Sequence, residues 1–223
     1  MIQAVLFDLD GTFADTAPDL SYAINQMRIA RGLAPVPDEK TRPVTSSGAR
    51  GLLGAGFGIT PDHADYPAMR DEFLDIYEAN LCRETRLFDG MKPLIDALES
   101  RGLTWGIVTN KAERFALPLM KLLGYGTRAA CVIGGDTTGK LKPHPEPLYA
   151  AARAIGIDPS ACLYVGDDER DVQAGRAAGM KTVAVRYGYL NGSDPAAWGA
   201  DALADAPYDV LRLLTQLSDK RRG

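Results

Sequence analysis

Histidine and cysteine are scarce in this 223-residue chain, and neither is spaced for a metal centre or a cross-link. Two histidines, His63 and His144, are too few for a histidine-dominated metal site. His144 lies in the rigid run Lys142-Pro143-His144-Pro145 and is read as a structural or surface residue. Cys82, Cys131 and Cys162 follow no metal or disulfide pattern and read as small buried hydrophobes of a reducing compartment. Long apolar runs are missing too. Asp8 interrupts the first one, so no secretory leader, no membrane span and no membrane partner are expected, and the expected location is cytoplasmic. Positive charge is not in excess: the formal net charge is -4, which argues against a nucleic-acid partner. Lys220-Arg221-Arg222 is read as a short solvated tail.

What the chain does have is carboxylates where they are costly. The run Val5-Leu6-Phe7-Asp8-Leu9-Asp10-Gly11-Thr12 is an apolar strand that ends in two acids and a glycine. Acids at the end of a buried strand require a cation or a hydrogen-bond network. Strict alternation along the strand would send both side chains toward one pocket. One could serve as nucleophile and the other as proton donor and then base. A second cluster, Gly166-Asp167-Asp168-Glu169-Arg170-Asp171, follows another apolar segment. With oxygen ligands alone, the fitting ion is Mg²⁺. Asp167 is the expected ligand, Asp171 supports it from one helical turn away, and Asp168 either supports it or caps the helix.

Short apolar strands are predicted at 103–108, 129–133, 161–165 and 182–185, with helices at 91–101, 112–123, 145–156 and 169–178 between them. This alternation predicts an α/β fold, a Rossmann-like parallel sheet covered by helices on both faces, with ligands beyond the carboxyl ends of the strands. Residues 16–84 break the rhythm. Leu20, Ile24 and Met27, then Met69, Phe73, Ile76 and Tyr77, have helical spacing, and prolines at 35, 37 and 43 punctuate the segment. The predicted division is a catalytic core of 1–15 plus 85–223 and a helical cap at 16–84 that selects substrate, with the sheet resuming near Phe88-Asp89-Gly90. The length allows a single core of this kind. Monomer and weak homodimer stay open, because no apolar stripe is separable from core-facing residues.

Thr109-Asn110 ends the strand Trp105 to Val108 and could receive phosphate oxygens with the following helix N-terminus. Lys142, stiffened by Pro143, Pro145 and Pro147, is the preferred fixed ammonium, with Lys140 the competitor. Gly134 to Lys140 matches the spacing of a nucleotide-binding loop, but Leu141 replaces the required hydroxyl. Gly51, Gly54 and Gly56 follow no strand and are not a dinucleotide fingerprint.

Asp8-Leu9-Asp10-Gly11-Thr12, Thr109-Asn110, Lys142-Pro143 and Gly166 to Asp171, in that order, resemble the haloacid-dehalogenase-like hydrolase superfamily over nearly the whole chain. The resemblance implies a Rossmannoid core with a cap inserted after the first strand. It implies that Asp8 attacks phosphorus, that Asp10 protonates the leaving group and later activates water, and that Mg²⁺ is held by Asp8, the Asp10 carbonyl and Asp167. Thr109 and Lys142 would bind phosphoryl oxygens. Asp15 to Asp19, Val108 to Lys111 and Tyr187-Gly188-Tyr189 resemble the phosphoglycolate phosphatase group. Ser47 to Arg50, Trp105 to Lys111 and Ala184 to Tyr189 are similar to the N-acetylmuramic acid 6-phosphate phosphatases of peptidoglycan recycling. Either resemblance implies a small phosphomonoester partner bearing a carboxylate, which Arg42 or Arg50 could pair with. The alternatives are a sugar-phosphate mutase of the same fold and a receiver-like phosphoprotein.

Overall fold

The computed structural model describes residues 1–219; the Lys220-Arg221-Arg222 tail lies outside them. The chain opens with β1 (Ala4–Phe7), wholly buried, and β2 (Ala14–Asp15). Four helices follow: α1 (Ala17–Ala30), α2 (Asp38–Thr41), α3 (Gly48–Phe57) and α4 (Tyr66–Ala79). Then come β3 (Arg86–Leu87), α5 (Met91–Ser100), β4 (Thr104–Val108), α6 (Glu113–Leu122), β5 (Val132–Ile133) and α7 (Glu146–Ile155). β6 (Cys162–Gly166), α8 (Glu169–Ala177), β7 (Lys181–Val185), β8 (Ala202–Ala204) and α9 (Asp209–Asp219) complete it.

Six strands form one sheet in the order β5-β4-β1-β6-β7-β8, every neighbouring pair parallel. Alternation sorts their side chains between two layers. Val5, Phe7, Trp105, Ile107, Leu163 and Val165 pack with Met91, Leu94 and Leu98 of α5 and Val210, Leu213 and Leu217 of α9. Ala4, Leu6, Cys162 and Tyr164 face Leu148 and Ala151 of α7 and Ala174 of α8. Helices on both faces explain why these strands read as near-continuous apolar runs. Phe13 anchors the turn after β1, stacked 5.6 Å from Trp105 and edge-on to Tyr125.

The inserted helices make their own core. Leu20, Ile24 and Met27 of α1 meet Leu52 and Leu53 of α3 and Phe73 and Tyr77 of α4, and Phe115 of α6 joins them from the sheet side. The base of the insert is fastened twice. β2 and β3 pair antiparallel, with Asp15 opposite Arg86. The fully buried Asp19 accepts from the Glu84 and Thr85 amides at 2.7 and 3.2 Å and from the Thr85 hydroxyl at 2.6 Å.

Two expectations need correction, and two elements were not expected. The chain returns from the insert at β3, which belongs to the two-stranded ribbon; the main sheet resumes only at β4. The strand expected at 129–133 is regular only at Val132–Ile133. The Ala130 amide still donates to the Trp105 carbonyl at 2.8 Å, so pairing begins before regular geometry does. β8 and α9 went unpredicted. β8 is a three-residue edge strand beyond periodicity's reach, although α9 is strongly amphipathic with Val210, Leu213, Leu214 and Leu217 buried.

Candidate active site

The carboxyl ends of β1, β4 and β6 converge, as they must beside the point where neighbouring strands lead their connections to opposite faces. Asp8 follows β1 and Asp167 follows β6; Asp171 lies on the first turn of α8. These three buried acids each offer an oxygen within 4.8 Å of the others. Burial lifts the Asp8 carboxyl to about 7; Asp171 and Asp10 add to the rise and Lys142 opposes it. Burial and the Asp8 charge push Asp167 well above the carboxylate range.

Each acid is held differently. Asp167 Oδ1 accepts from the Thr12 hydroxyl at 2.9 Å and Oδ2 from the Tyr189 amide at 2.7 Å. Glycine makes this approach possible: a Cβ on Gly11, whose φ is +84°, would sit 2.1 Å from Asp167 Oδ2. Asp171 is shared between two tasks. Its Oδ2 accepts from the Asp168 amide at 3.1 Å, and Asp168 Oδ1 accepts from the Arg170 amide at 2.9 Å, which together cap α8 reciprocally. Its Oδ1 accepts from Lys142 Nζ at 2.7 Å.

Lys142 is 4 % exposed. Its ammonium donates to Asp171 Oδ1, to Tyr164 Oη at 2.8 Å and to the Val108 carbonyl at 3.1 Å. Asp8 Oδ1 stands 2.8 Å away as an ion-pair neighbour, yet it has no hydrogen-bond partner among the described residues. Burial works against the Lys142 charge, but Asp171 and Asp8 more than offset it and keep the amine protonated. Lys140 is exposed. The Asn110 amide group is committed to the Lys142 backbone, accepting its N–H at 2.9 Å and donating to its carbonyl at 3.0 Å. Thr109, almost fully buried, accepts from the Lys111 amide at 3.1 Å.

Asp10 sits in the turn beyond β1, in a bridge to Ala14, and faces a different cation from Asp8. Its Oδ1 accepts from the Thr16 hydroxyl at 2.5 Å and from Lys111 Nζ at 2.8 Å. Asp8 and Asp10 thus share one cavity but not one partner. That cavity, about 350 Å³, lies between the strand ends and the insert. Its floor holds Asp8, Asp10, Thr109, Lys142 and Asp171. Its roof is apolar at Leu20, Phe73, Leu74 and Phe115 and polar at Thr45, Ser46, Ser47 and Tyr77.

The two arginines singled out for a substrate carboxylate do not line this cavity. Arg42 is paired with Asp15 at 2.9 Å and lies over the Tyr189 ring, while Arg50 is exposed. The guanidinium that does line it is Arg170, bound to both Asp168 oxygens and, at 3.0 Å, to the Ser46 carbonyl. Lys111 and Arg170 lie inside motifs already read, but spacing alone did not say that they face the same space.

The donor set fits a hard divalent cation. It is all oxygen, and it crowds three buried acids together at the strand ends. Comparison with known proteins agrees with this geometry. Along 96 % of its length the chain is 47 % identical to the N-acetylmuramic acid 6-phosphate phosphatase of Pseudomonas aeruginosa, 95 % of which is covered. It is 48 % identical over 206 residues to a phosphoglycolate phosphatase of Xanthomonas campestris, spanning 92 % of this chain and 93 % of that one. A predicted phosphoglycolate phosphatase from Haemophilus somnus has the same fold, with a TM-score of 0.85 at 27 % identity over 96 % of this chain and 98 % of that one. Residues 5–185 match the family model described as haloacid dehalogenase-like hydrolase, and the chain belongs to that family.

Proposed function

We propose that the chain is a Mg²⁺-dependent phosphomonoesterase that works through an aspartyl-phosphate on Asp8. Its preferred substrate is N-acetylmuramic acid 6-phosphate, with 2-phosphoglycolate as the alternative among small phosphate esters carrying a carboxylate. The observation that carries this reading is the triad of buried acids beside Lys142, opening into a cavity with Asp10 on its floor. The relatives' names supply the two substrates, and the size of the cavity favours the larger one. At about 350 Å³ it falls within the roughly 300–1,000 Å³ of small-molecule sites, which suits a substituted hexose better than a two-carbon acid. Free cysteines at 82, 131 and 162 fit a cytoplasmic site of action.

In this reading Asp8 and Asp167, with the Asp10 carbonyl, would hold the ion, and Asp171 keeps Lys142 in place. Bound there, Mg²⁺ supplies the positive charge that lets a phosphate approach a carboxylate. Asp8 attacks phosphorus as the ester P–O bond breaks, and Asp10 gives its proton to the departing oxygen. Asp10 then takes a proton from water, which attacks the aspartyl-phosphate, frees inorganic phosphate and restores Asp8. Lys142 and the Thr109 hydroxyl hold the non-bridging oxygens, and the insert excludes bulk water.

The test is phosphate release with Mg²⁺ over N-acetylmuramic acid 6-phosphate, 2-phosphoglycolate and hexose and pentose phosphates. Multiple turnovers to free phosphate are expected, fastest on the first, and none with Asp8→Asn. Return of the phosphoryl group to the sugar would establish the mutase alternative instead. A single turnover would establish the receiver-like one.

A further inference from the structure

Resting on that reading, and concerning the part of the substrate remote from phosphorus, we propose that the hydroxyls of Tyr77 and Ser46 form a specificity subsite for the polar substituents of a sugar-sized leaving group. Both residues line the cavity. Both hydroxyl oxygens are buried and have no hydrogen-bond partner among the described residues. An unsatisfied buried hydroxyl is costly, so it persists where something else completes it.

The position of Tyr77 identifies what completes it. Tyr77 is 1 % exposed, and its ring is fixed against Phe115 in the core of the insert. Lys111 lies 4.7 Å from the ring centre while its ammonium is aimed at Asp10, 2.8 Å away. Asp10 and the Lys111 ammonium both act on the Tyr77 hydroxyl, which stands beside the acid that meets the leaving oxygen. Burial raises the phenol to about 12, so it is a proton-bearing donor throughout the working range. Ser46 approaches from the other side. Its carbonyl is occupied by Arg170 from α8, which fixes the backbone beside a hydroxyl that has no partner among the described residues. Around them the roof is apolar at Leu20, Phe73 and Leu74. Two polar points in an apolar wall set orientation, which is how a cavity of this kind discriminates.

The measurement is kcat/KM for N-acetylmuramic acid 6-phosphate, glucose 6-phosphate and phenyl phosphate, with the native enzyme, Tyr77→Phe and Ser46→Ala. Phenyl phosphate carries no hydroxyl or amide beyond its ester. Each substitution should lower the ratio of hexose phosphate to phenyl phosphate by about threefold to tenfold, through KM rather than kcat. An unchanged ratio in both variants, with brisk turnover of N-acetylmuramic acid 6-phosphate by the native enzyme, overturns the subsite and leaves the proposed function standing. A native enzyme that ignores N-acetylmuramic acid 6-phosphate but shows the split on glucose 6-phosphate defeats the substrate assignment and supports the subsite. An equal loss on all three substrates marks a packing role and overturns the subsite. Thermal melts of the near-isosteric Tyr77→Phe check that the fold is retained.

Discussion

At the scale of single residues, the site turns on how few groups neutralise so many acids. Lys142 is the shared counter-charge for Asp8 and Asp171, and both of those partners are buried with it. Removing one member of such a set leaves uncompensated charge in a dry place. Lys142→Met should therefore destabilise the metal-free protein by about 3–5 kcal/mol in denaturant titrations. Lys140→Met, at an exposed position, should stay within about 0.5 kcal/mol. Similar losses in the two variants would contradict the assignment of the fixed ammonium. Gly11 offers a sharper probe of Asp167. A methyl group there collides with the carboxylate and demands a positive φ that alanine resists. Gly11→Ala is expected to weaken Mg²⁺ binding by about 10–100-fold, read by calorimetric titration, because it displaces a ligand without removing it. Unaltered affinity would mean that Asp167 is not a ligand.

At the scale of elements, α8 does the most with the least. Its N-terminal capping box uses Asp168 and Asp171, and the same Asp171 reaches Lys142 while Arg170 reaches the insert. Asp168→Ala should cost about 1 kcal/mol of stability from the lost cap. It should also lower kcat/KM, since it loosens Asp171 and frees Arg170; a stability loss with unchanged kinetics would show that the cap is only structural. The strand-to-acid junctions were legible in the sequence because a buried strand cannot end in carboxylates without a reason. Asp8, Asp10 and the Gly166 to Asp171 run announced themselves in that way. The roles of Arg42 and Arg50 were not legible: charge type was visible, but Asp15, which takes Arg42, lies across a fold boundary. Ser46 and Tyr77 carried no signal either, since an unpaired hydroxyl is a property of surroundings rather than of sequence. The ribbon and β8 were missed because two or three residues show no period.

At the scale of the whole molecule, the crowded acids tie stability to pH and to metal. In the metal-free protein Asp8 holds its proton up to about 7, against an ordinary value of 3.8, because burial disfavours the charge. The folded state then binds more protons than the unfolded state between those values, so stability falls as pH rises through that window. Mg²⁺ competes for the same oxygens and should restore what is lost. Saturating Mg²⁺ should raise Tm by about 5–10 °C at pH 8 and much less at pH 5, measured by calorimetry. Equal shifts at both pH values would break the link between ion and acids. No helix among the described residues is long and apolar enough to cross a membrane. The last consequence comes from the ribbon at the base of the insert, where Asp15 faces Arg86 and Asp19 clasps Thr85. Chain departure and return are locked side by side, so the pairing of the sheet does not depend on how much chain hangs between them. Doubling the length of such a closed loop costs only about 0.6 kcal/mol. A longer or shorter insert is therefore tolerated by the sheet, provided that it keeps the contacts Asp10, Phe115 and Arg170 make with it.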